Sequence, residues 1–382
     1  MLVSRPSKSQ GQAPPRLLHT LGNDVRIVTK DIMRRGVHRE VGGTLAGLEA
    51  FYLTREERAR LAELSTPRRF FRRLWYFLRG LLLKLTPARR IMLAVALFSI
   101  VLGAWRIDID TVHISFRVQG LGILLVLGVL VLELKDKLVA RDELEAGRAV
   151  QLALMPTDRP NVPGWDVWLY TQPANDVGGD LVDHLPLANQ QHAVLLGDVT
   201  GKALPAALLA VKLQATLRAL APHLPNLGDL ATGVNGILYR DGLPTRFASL
   251  VYAVLTPSSG QVRMLIAGHM PPIHLHEDAT STLPQGSMVI GMMPDVPFWE
   301  QAVSVEPGDT LVVYSDGVSE AMNENEEFFG EERLHPIVVR TRGLTAAEAG
   351  ALILEELSAF VGHAEQSDDV SLMVLRRLTA AT

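Results

Sequence analysis

The sequence predicts an α+β fold for residues 156–382, preceded by a helical membrane hairpin and a connecting helix. In this C-terminal part, short runs of β-type residues come in groups, and helical segments form the long insertions between them. That arrangement favours a layered α+β fold over a regular βαβ repeat. Upstream, two apolar runs follow an arginine-rich stretch, which is typical of a membrane segment.

The composition narrows the classes of function. A length of 382 residues allows two or three structural units. Hydrophobic residues make up 48% of the chain, which is high for a wholly soluble protein. The net charge of −4 gives no indication of a nucleic-acid partner. Because there are no cysteines, any metal must be held by carboxylates, histidines or backbone oxygens.

Residues 1–66 carry no recognisable chemistry, and their role is not predicted. Met1 to Pro15 is polar and has no apolar run behind it, so we interpret it as a disordered tail rather than a cleaved signal. Arg26 to Leu64 shows mixed helical patterns.

Residues 67–132 combine a basic, aromatic-rich stretch with two apolar runs, Ile91–Trp105 and Gly120–Leu132. A short polar link, Arg106–Gln119, joins the runs. Each run is shorter than the ~20 residues of a spanning helix, so a soluble helical domain is an alternative. We favour a membrane hairpin, because no neighbouring element could cover so much apolar surface. The basic stretch is either an interfacial helix or a solvated amphipathic helix.

The charge pattern predicts the topology of this hairpin. Arginines precede Ile91, which places that flank in the cytoplasm by the positive-inside rule. Two crossings return the chain to the same side, and Trp105 stands where an interfacial aromatic anchor would lie. The prediction is therefore a multi-pass protein of the cell membrane with a cytoplasmic C-terminal domain.

Residues 133–155 predict a connecting helix that Pro156 ends. A poor heptad pattern leaves two alternatives, a homodimeric coiled coil and a single helix. The positions on this seam are Leu134, Leu138, Arg141, Glu145, Arg148 and Leu152.

Residues 156–382 contain six predicted strands and three predicted helices. The strands are Val167–Thr171, His192–Leu196, Ala248–Leu255, Val262–Ile266, Thr310–Tyr314 and Val370–Leu375. The helices are Pro205–Leu220, Leu227–Tyr239 and Thr345–Phe360.

Aspartates stand beside glycines or at strand ends in four places: Asp180, Asp198, Asp316 and the pair Asp368–Asp369. A glycine lets the backbone approach a ligand closely. Converging aspartates would repel one another without a cation between them, and hard cations such as Mg²⁺ prefer oxygen ligands. Each motif alone also fits an ordinary turn or solvated loop. The repetition adds a two-metal hydrolase as an interpretation of equal weight, and the residues alone leave both open.

The motifs resemble the metal-dependent protein phosphatase family (PPM, type 2C). They are closest to its bacterial branch of stage II sporulation protein E-like and sigma-factor-regulating phosphatases. The resemblance runs from about Glu143 to Leu378, and it implies a layered β-sandwich flanked by helices. The segments that carry it are AVQLALMP, PANDVGGD, GDVTGKALPAALLA, AGHMPPIHL, EPGDTLVVYSDGVSEAMNENEEFFGEERL and QSDDVSLMVL.

The resemblance also implies a site and a mechanism. Two divalent cations, Mn²⁺ or Mg²⁺, would share a water that attacks phosphorus in line, without a protein nucleophile. Asp198 would bridge the cations, and the Val199 carbonyl would bind one of them. The other implied ligands are Asp180, Asp316 and Asp368, with Asp369 as a ligand or a neighbour. Lys202 and His269 could contact phosphate or act as a general acid, but structural roles are favoured for both.

Some positions depart from the family pattern. Leu181 and Val182 replace a usual aromatic pair, Ala203 replaces a glycine, and Met270 replaces an asparagine. A phosphate-contacting arginine of the eukaryotic members has no evident counterpart. None of these changes removes a predicted metal ligand.

The resulting hypothesis is a membrane-tethered cytoplasmic phosphatase. Its substrate would be a phosphoserine or phosphothreonine on a regulatory protein, and the resemblance suggests an anti-sigma-factor antagonist. Two alternatives stay open. One is a non-catalytic module that binds a phosphoprotein or kinase. The other is a membrane sensor whose N-terminal half has the main role.

Overall fold

The computed structural model describes residues 72, 75–76, 79–80, 82–102, 104–109, 112–117, 119–241, 246–257 and 259–379, with the backbone alone between 102 and 117. The interpretations of residues 1–66 lie outside this part of the chain. The chain divides into two compact units, Met1–Asp136 and Lys137–Thr382.

The first unit contains two helices and a β-hairpin. Helix α1 spans Pro87–Leu102, strands β1 (Ala104–Ile109) and β2 (Val112–Arg117) pair antiparallel, and helix α2 begins at Gln119. The predicted polar link is therefore a β-hairpin, because apolar and polar residues alternate along both strands. Trp105 is the second residue of β1, whereas helix α1 ends at Leu102.

Helices α1 and α2 pack closely within this unit. A Cβ atom at Gly122 would come within 2.7 Å of the Ala96 carbonyl oxygen. At the arginine-rich end, Arg89 forms ion pairs with Glu133 at 2.8 Å and Asp136 at 2.6 Å. Small residues at such a crossing allow two helix backbones to approach each other.

The outer faces of these helices are apolar and exposed. Exposed side chains include those of Ile91, Phe98, Val101, Leu124 and Val131. By length and composition alone, one helix of the described residues could cross a bilayer, and it is helix Ala203–Leu220 of the second unit. Helix α1 has 16 residues, fewer than the usual ~20. The membrane hairpin therefore stays a prediction.

Helix α2 is continuous over 36 residues, Gln119–Leu154. It includes both the second apolar run and the predicted connecting helix, because no proline interrupts it before Pro156. At 1.5 Å per residue it is ~54 Å long.

The second unit contains two five-stranded antiparallel sheets. The first has the order β10-β7-β6-β5-β4 and the second β3-β12-β11-β8-β9. The strands of the first sheet are β4 (Leu181–Pro186), β5 (His192–Val199), β6 (Ala248–Leu255), β7 (Gln261–Ala267) and β10 (Gln301–Ser304). Those of the second are β3 (Trp165–Gln172), β8 (Ile273–His276), β9 (Ala279–Thr282), β11 (Thr310–Tyr314) and β12 (Val370–Arg377).

Three apolar cores join four layers. The inner faces of the sheets pack together through residues such as Leu196, Met264 and Met373. Helices α3 (Ala203–Leu220) and α4 (Leu227–Asp241) cover the first sheet. Helices α5 (Asp316–Ser319), α6 (Gly330–Arg340) and α7 (Ala346–Val361) cover the second. A 3₁₀ turn, Ala188–Gln190, links β4 to β5.

The predicted fold class is confirmed, since the unit is a β-sandwich flanked by helices. All six predicted strands and all three predicted helices are present, with ends that differ by at most three residues. Helix α7 begins at Ala346 because Thr345 and Glu348 form a capping box. The sequence patterns did not predict strands β4, β8, β9 and β10 or helices α5 and α6. Three of these strands have only four residues, too few to show a period.

Candidate active site

The predicted aspartates come together at one end of the sandwich. Leu181 pairs with Gly197, which puts Asp180 and Asp198 at the next pair of positions in the first sheet. In the second sheet, Tyr314 pairs with Leu372, so Asp316 follows one strand where Asp368 and Asp369 precede its neighbour. Strand ends thus bring side chains from four distant parts of the sequence to one place.

The glycines of these motifs allow a close approach of backbones. A Cβ atom at Gly179 would lie 2.7 Å from the Val199 carbonyl oxygen. A Cβ atom at Gly317 would overlap the Asp369 carbonyl oxygen. A larger residue at Gly179 would push the loop before β4 away from the end of β5, and one at Gly317 would push α5 away from the residues before β12. This explains the Gly-Asp and Asp-Gly pattern.

Asp369 holds the loop before β4. Its Oδ2 atom accepts hydrogen bonds from the amides of Gly179 at 2.6 Å and Asp180 at 3.3 Å. Its Oδ1 atom accepts one from the Ala174 amide at 2.8 Å. A carboxylate that accepts several amide hydrogen bonds is well placed to position its neighbours.

Asp180 is buried and lacks a charge partner. Its side chain is 3% exposed, and its Oδ2 atom has no hydrogen-bond partner among the described residues. Burial raises the pKa of Asp180 well above its usual value, and the negative charges of Asp198 and Asp369 raise it further. A buried, ionised carboxylate without a nearby positive charge lowers the stability of the fold.

Asp198 and Asp316 are in a similar environment. Burial raises the pKa of Asp198 to about 6, and the charges of Asp316, Asp368 and Asp369 add to the effect. Burial also raises the pKa of Asp316, followed by the charge of Asp368. The carboxylates are therefore close enough to repel one another.

Lys202 supports the loop that carries Asp368. Its Nζ atom donates to the Ser367 carbonyl oxygen at 2.8 Å and lies 3.4 Å from the Asp368 Oδ2 atom. These contacts link the residue before α3 to the loop before β12.

His269 is buried beside the cluster. Its Nδ1 atom lies 2.8 Å from the Ser249 Oγ atom, and Ser249 pairs with Asp198 in the sheet. Its Nε2 atom has no partner among the described residues. Burial lowers the pKa of His269 to about 4, so the ring is neutral at pH 7 and poorly suited to act as a general acid.

Gln151, which the sequence reading missed, connects helix α2 to this site. Its Nε2 atom donates to the Gly178 carbonyl oxygen at 2.9 Å, and its Oε1 atom accepts from the Gly178 amide at 3.3 Å. The available signal was a polar residue within the apolar segment AVQLAL.

The residues fit a hard divalent cation by their chemistry. Among the described residues, no three histidine, aspartate or glutamate side chains stand in a ready-made coordination geometry. However, carboxylates and a backbone carbonyl are the ligands that Mg²⁺ and Mn²⁺ prefer. The unpartnered Oδ2 atom of Asp180 and the mutual repulsion of the carboxylates are the features that a bound cation would relieve.

Residues 188–378, half of the chain, match the model of stage II sporulation protein E (SpoIIE). The chain belongs to the SpoIIE family. The resemblance to the SpoIIE-like branch of the metal-dependent protein serine/threonine phosphatases is therefore confirmed.

Relatives of this SpoIIE-family chain include two bacterial proteins. It is 28% identical to protein IcfG of Synechocystis over 64% of this chain and 43% of that protein. It therefore spans less than half of that relative's length. It is 25% identical to the phosphoserine phosphatase RsbU of Bacillus subtilis over 62% of this chain and 70% of that protein.

A solved structure shows the same fold. The SiaA-PP2C domain of Pseudomonas aeruginosa is 17% identical, with a TM-score of 0.56 over 63% of this chain and 98% of that domain. At this identity the likeness concerns the fold alone, and it agrees with the two-sheet architecture of the second unit.

Proposed function

We propose that this chain is a metal-dependent phosphatase that hydrolyses phosphoserine or phosphothreonine on a regulatory protein. The observation that carries the proposal is the buried carboxylate of Asp180, whose Oδ2 atom has no partner among the described residues and which lies among further aspartates, in a chain of the SpoIIE family. A site in which several largely buried carboxylates repel one another is suited to bound metal ions.

We assign the aspartates distinct roles. Asp198 would be the ligand shared by two cations, Asp180, Asp316 and Asp368 would be further ligands, and the Val199 carbonyl would hold one cation. When bound, the metal ions would supply an activated water and neutralise charge on the phosphoryl oxygens. The chain's own part is to hold the oxygen ligands rigidly at strand ends.

Asp369 is the remaining predicted ligand, and we propose that it positions the others. Both of its carboxylate oxygens accept amide hydrogen bonds from the loop that precedes β4. It therefore fixes Asp180 relative to the second sheet.

The test is hydrolysis of p-nitrophenyl phosphate by the full-length protein in detergent, with Mn²⁺ and with EDTA. We expect activity that requires Mn²⁺ and falls at least a hundredfold in Asp198→Asn. The matched control is Asp229→Asn, because Asp229 is an exposed aspartate on helix α4. Equal activity of Asp198→Asn and Asp229→Asn would contradict the proposal. No activity in any variant would favour the non-catalytic binding module.

The proposed protein substrate is an anti-sigma-factor antagonist. The support is the SpoIIE family match and the relative named phosphoserine phosphatase RsbU. Release of phosphate from a phosphorylated antagonist, with none from a phosphotyrosine peptide, is the expected result. Equal rates on both substrates would contradict this assignment.

We further propose that α1 and the first half of α2 tether the protein to the cell membrane as a hairpin, with the catalytic unit in the cytoplasm. The support is the exposed apolar surface of these helices and the arginines that precede Ile91. Because the chain lacks cysteine, single-cysteine variants can report the topology. In bacterial spheroplasts, an impermeant maleimide should label Ser115→Cys but label Ser281→Cys only after lysis. The reverse pattern would contradict the orientation.

Helix α2 is proposed to transmit a signal to the site, because Gln151 holds the Gly178 backbone at both its amide and its carbonyl. Two residues inserted near Glu143 rotate the preceding helix by ~200°, whereas four rotate it by only ~40°. We expect the two-residue insertion to change phosphatase activity more. If both insertions leave activity and metal affinity unchanged, this idea fails.

The connecting segment 133–155 is also the proposed contact of a homodimer. Leu134, Leu138 and Leu152 are exposed on it. By light scattering, Leu138→Glu should convert dimers to monomers, whereas Leu378→Glu, another exposed leucine, should not. A wild-type monomer would contradict the dimer.

A further inference from the structure

A cavity of about 390 Å³ lies beside the acidic cluster in the second unit. Its apolar wall includes Leu354, Leu357 and Val361 of α7 and Val370 of β12. Leu357 and Val370 are buried, whereas Leu354 and Val361 are partly exposed to the cavity side. The cavity is therefore an apolar recess on the surface of the second unit.

The cavity and the candidate metal site share their backbone. Gly317, Ser367 and Val370 line the cavity, and each is next in sequence to a clustered aspartate. A phosphoryl group bound near those aspartates would therefore lie next to the cavity. Since one extended residue spans at most ~3.6 Å, only a few residues of peptide are needed to reach from one to the other.

The rim of the cavity is polar and internally bonded. The Gln366 Nε2 atom donates to the carbonyl oxygens of Asp368 at 2.8 Å and Gln172 at 3.1 Å. The Tyr170 hydroxyl donates to the Gln172 Oε1 atom at 2.6 Å. An apolar floor with a fixed polar rim is the usual composition of a site that accepts a side chain from a peptide.

We propose that this cavity binds an apolar side chain of the phosphoprotein substrate, within a few residues of the phosphorylated serine or threonine. This inference rests on the proposed phosphatase function. The volume suits one or two side chains and is too small for a folded partner. The site would thus select substrates by the sequence that flanks the phosphate.

The charges favour this occupant over an acidic one. Among the lining residues, Glu365 is the charged side chain. It would repel an acidic flanking residue. A leucine, isoleucine or methionine would instead bury its apolar surface against α7.

The test uses a set of phosphoserine peptides and the full-length protein with Mn²⁺. All peptides share an alanine and serine background, and a single leucine is placed at each position from −6 to +6 around the phosphoserine. We expect leucine at one or two positions to raise kcat/KM roughly tenfold over the all-alanine peptide. Peptides with glutamate at the same positions should fall below that reference.

Two variants locate the effect in the cavity. Ser358→Trp on α7 and Ala364→Trp on the following loop each place a bulky ring among the lining residues. In both variants, the ratio of kcat/KM for the leucine peptide to kcat/KM for the all-alanine peptide should fall to about one. The matched control is Ala359→Trp, an exposed neighbour on α7 outside the lining, which should keep the ratio. Where turnover is slow, fluorescence anisotropy of fluorescein-labelled peptides gives the corresponding ratio of Kd values.

The outcomes separate the two proposals. Wild-type protein that hydrolyses p-nitrophenyl phosphate but shows less than a twofold leucine effect at every position overturns the cavity assignment alone. Retention of the leucine preference in Ser358→Trp or Ala364→Trp overturns it as well. Wild-type protein without any Mn²⁺-dependent hydrolysis overturns the proposed function itself.

Discussion

Asp180 and Asp183 lie three residues apart at the start of the same strand, and both are almost fully buried, at 3% and 0% exposure. Their surroundings differ in the counter-charge. Arg218 donates to both oxygens of Asp183, from Nε at 2.7 Å and from Nη2 at 2.8 Å. Asp180 has carboxylates around it, and its Oδ2 atom has no partner among the described residues.

This contrast shows how one residue type can serve structure or function. At Asp183 the chain itself supplies the cation, and the ion pair joins β4 to α3 and, through Arg218, to the Leu154 carbonyl oxygen at 3.1 Å. At Asp180 the chain supplies more negative charge. A buried carboxylate without a protein cation is stable only when it is protonated or when a cation binds.

Breaking the Asp183 pair should have the largest effect on stability. We expect Arg218→Leu to lower the free energy of unfolding by about 3 kcal/mol, because it leaves Asp183 buried without its partner. The control is Arg240→Leu, whose pair with Asp241 is exposed and which should lower the free energy of unfolding far less. Urea unfolding measures both. An equal, small loss would contradict the structural role of the pair.

His269 is a third buried ionisable residue of this region, and it has no carboxylate partner among the described residues. Burial lowers the pKa of His269 from 6.5 to about 4, so unfolding takes up a proton between these values. The stability contributed by the neutral ring is complete above pH 6.5 and is lost as the pH falls towards 4. At about 1.4 kcal/mol per pKa unit, the loss approaches about 3 kcal/mol.

Urea unfolding of wild type and His269→Gln between pH 7 and pH 4 measures this loss. As the pH falls, the free energy of unfolding should decrease more for the wild type than for His269→Gln. The exposed His363→Gln should follow wild type throughout. A constant difference between His269→Gln and wild type would show that His269 titrates alike in the folded and unfolded states.

Replacing each aspartate by asparagine should give effects of opposite sign. In EDTA, Asp180→Asn should stabilise the fold by about 1 kcal/mol, because it removes a buried charge that lacks a partner. Asp183→Asn should destabilise it, because Arg218 loses its carboxylate. Thermal unfolding should also show that Mn²⁺ raises the Tm of Asp183→Asn but not that of Asp180→Asn. If both substitutions destabilise the fold in EDTA, the proposed difference between Asp180 and Asp183 is contradicted.

The smallest predicted effect concerns the first residue of α3, the helix that carries Arg218. Ala203 has a φ of 61°, in the left-handed region that favours glycine. Ala203→Gly should therefore raise the free energy of unfolding by up to about 1 kcal/mol. The same change at exposed Ala215, in the middle of α3, should lower it by about 1 kcal/mol. A loss at both positions would mean that Ala203 is unstrained.

The sequence predicted the elements that have strong local patterns. Strands such as Thr310–Tyr314 and helices such as Leu227–Asp241 show clear periods, and the motif glycines marked where aspartates approach other backbone. The departure at Ala203 was also visible, and the structure gives it a physical meaning in its positive φ.

The rest depended on contacts between residues far apart in the chain. Nothing near Asp183 indicates that Arg218, 35 residues later, is its partner. Asp368 and Asp369 are adjacent in sequence. What distinguishes them is that Asp369 accepts hydrogen bonds from backbone amides of the loop before β4. The cavity beside α7 is likewise formed by segments that meet only in the folded chain.

The central claim is that the aspartate cluster binds divalent cations, and Mn²⁺ binding followed by electron paramagnetic resonance tests it most directly. Loss of the free Mn²⁺ signal counts bound ions without requiring activity. The account predicts two equivalents per wild-type chain, two in Asp229→Asn and at most one in Asp198→Asn. Equal Mn²⁺ binding by Asp198→Asn and the wild type would contradict it.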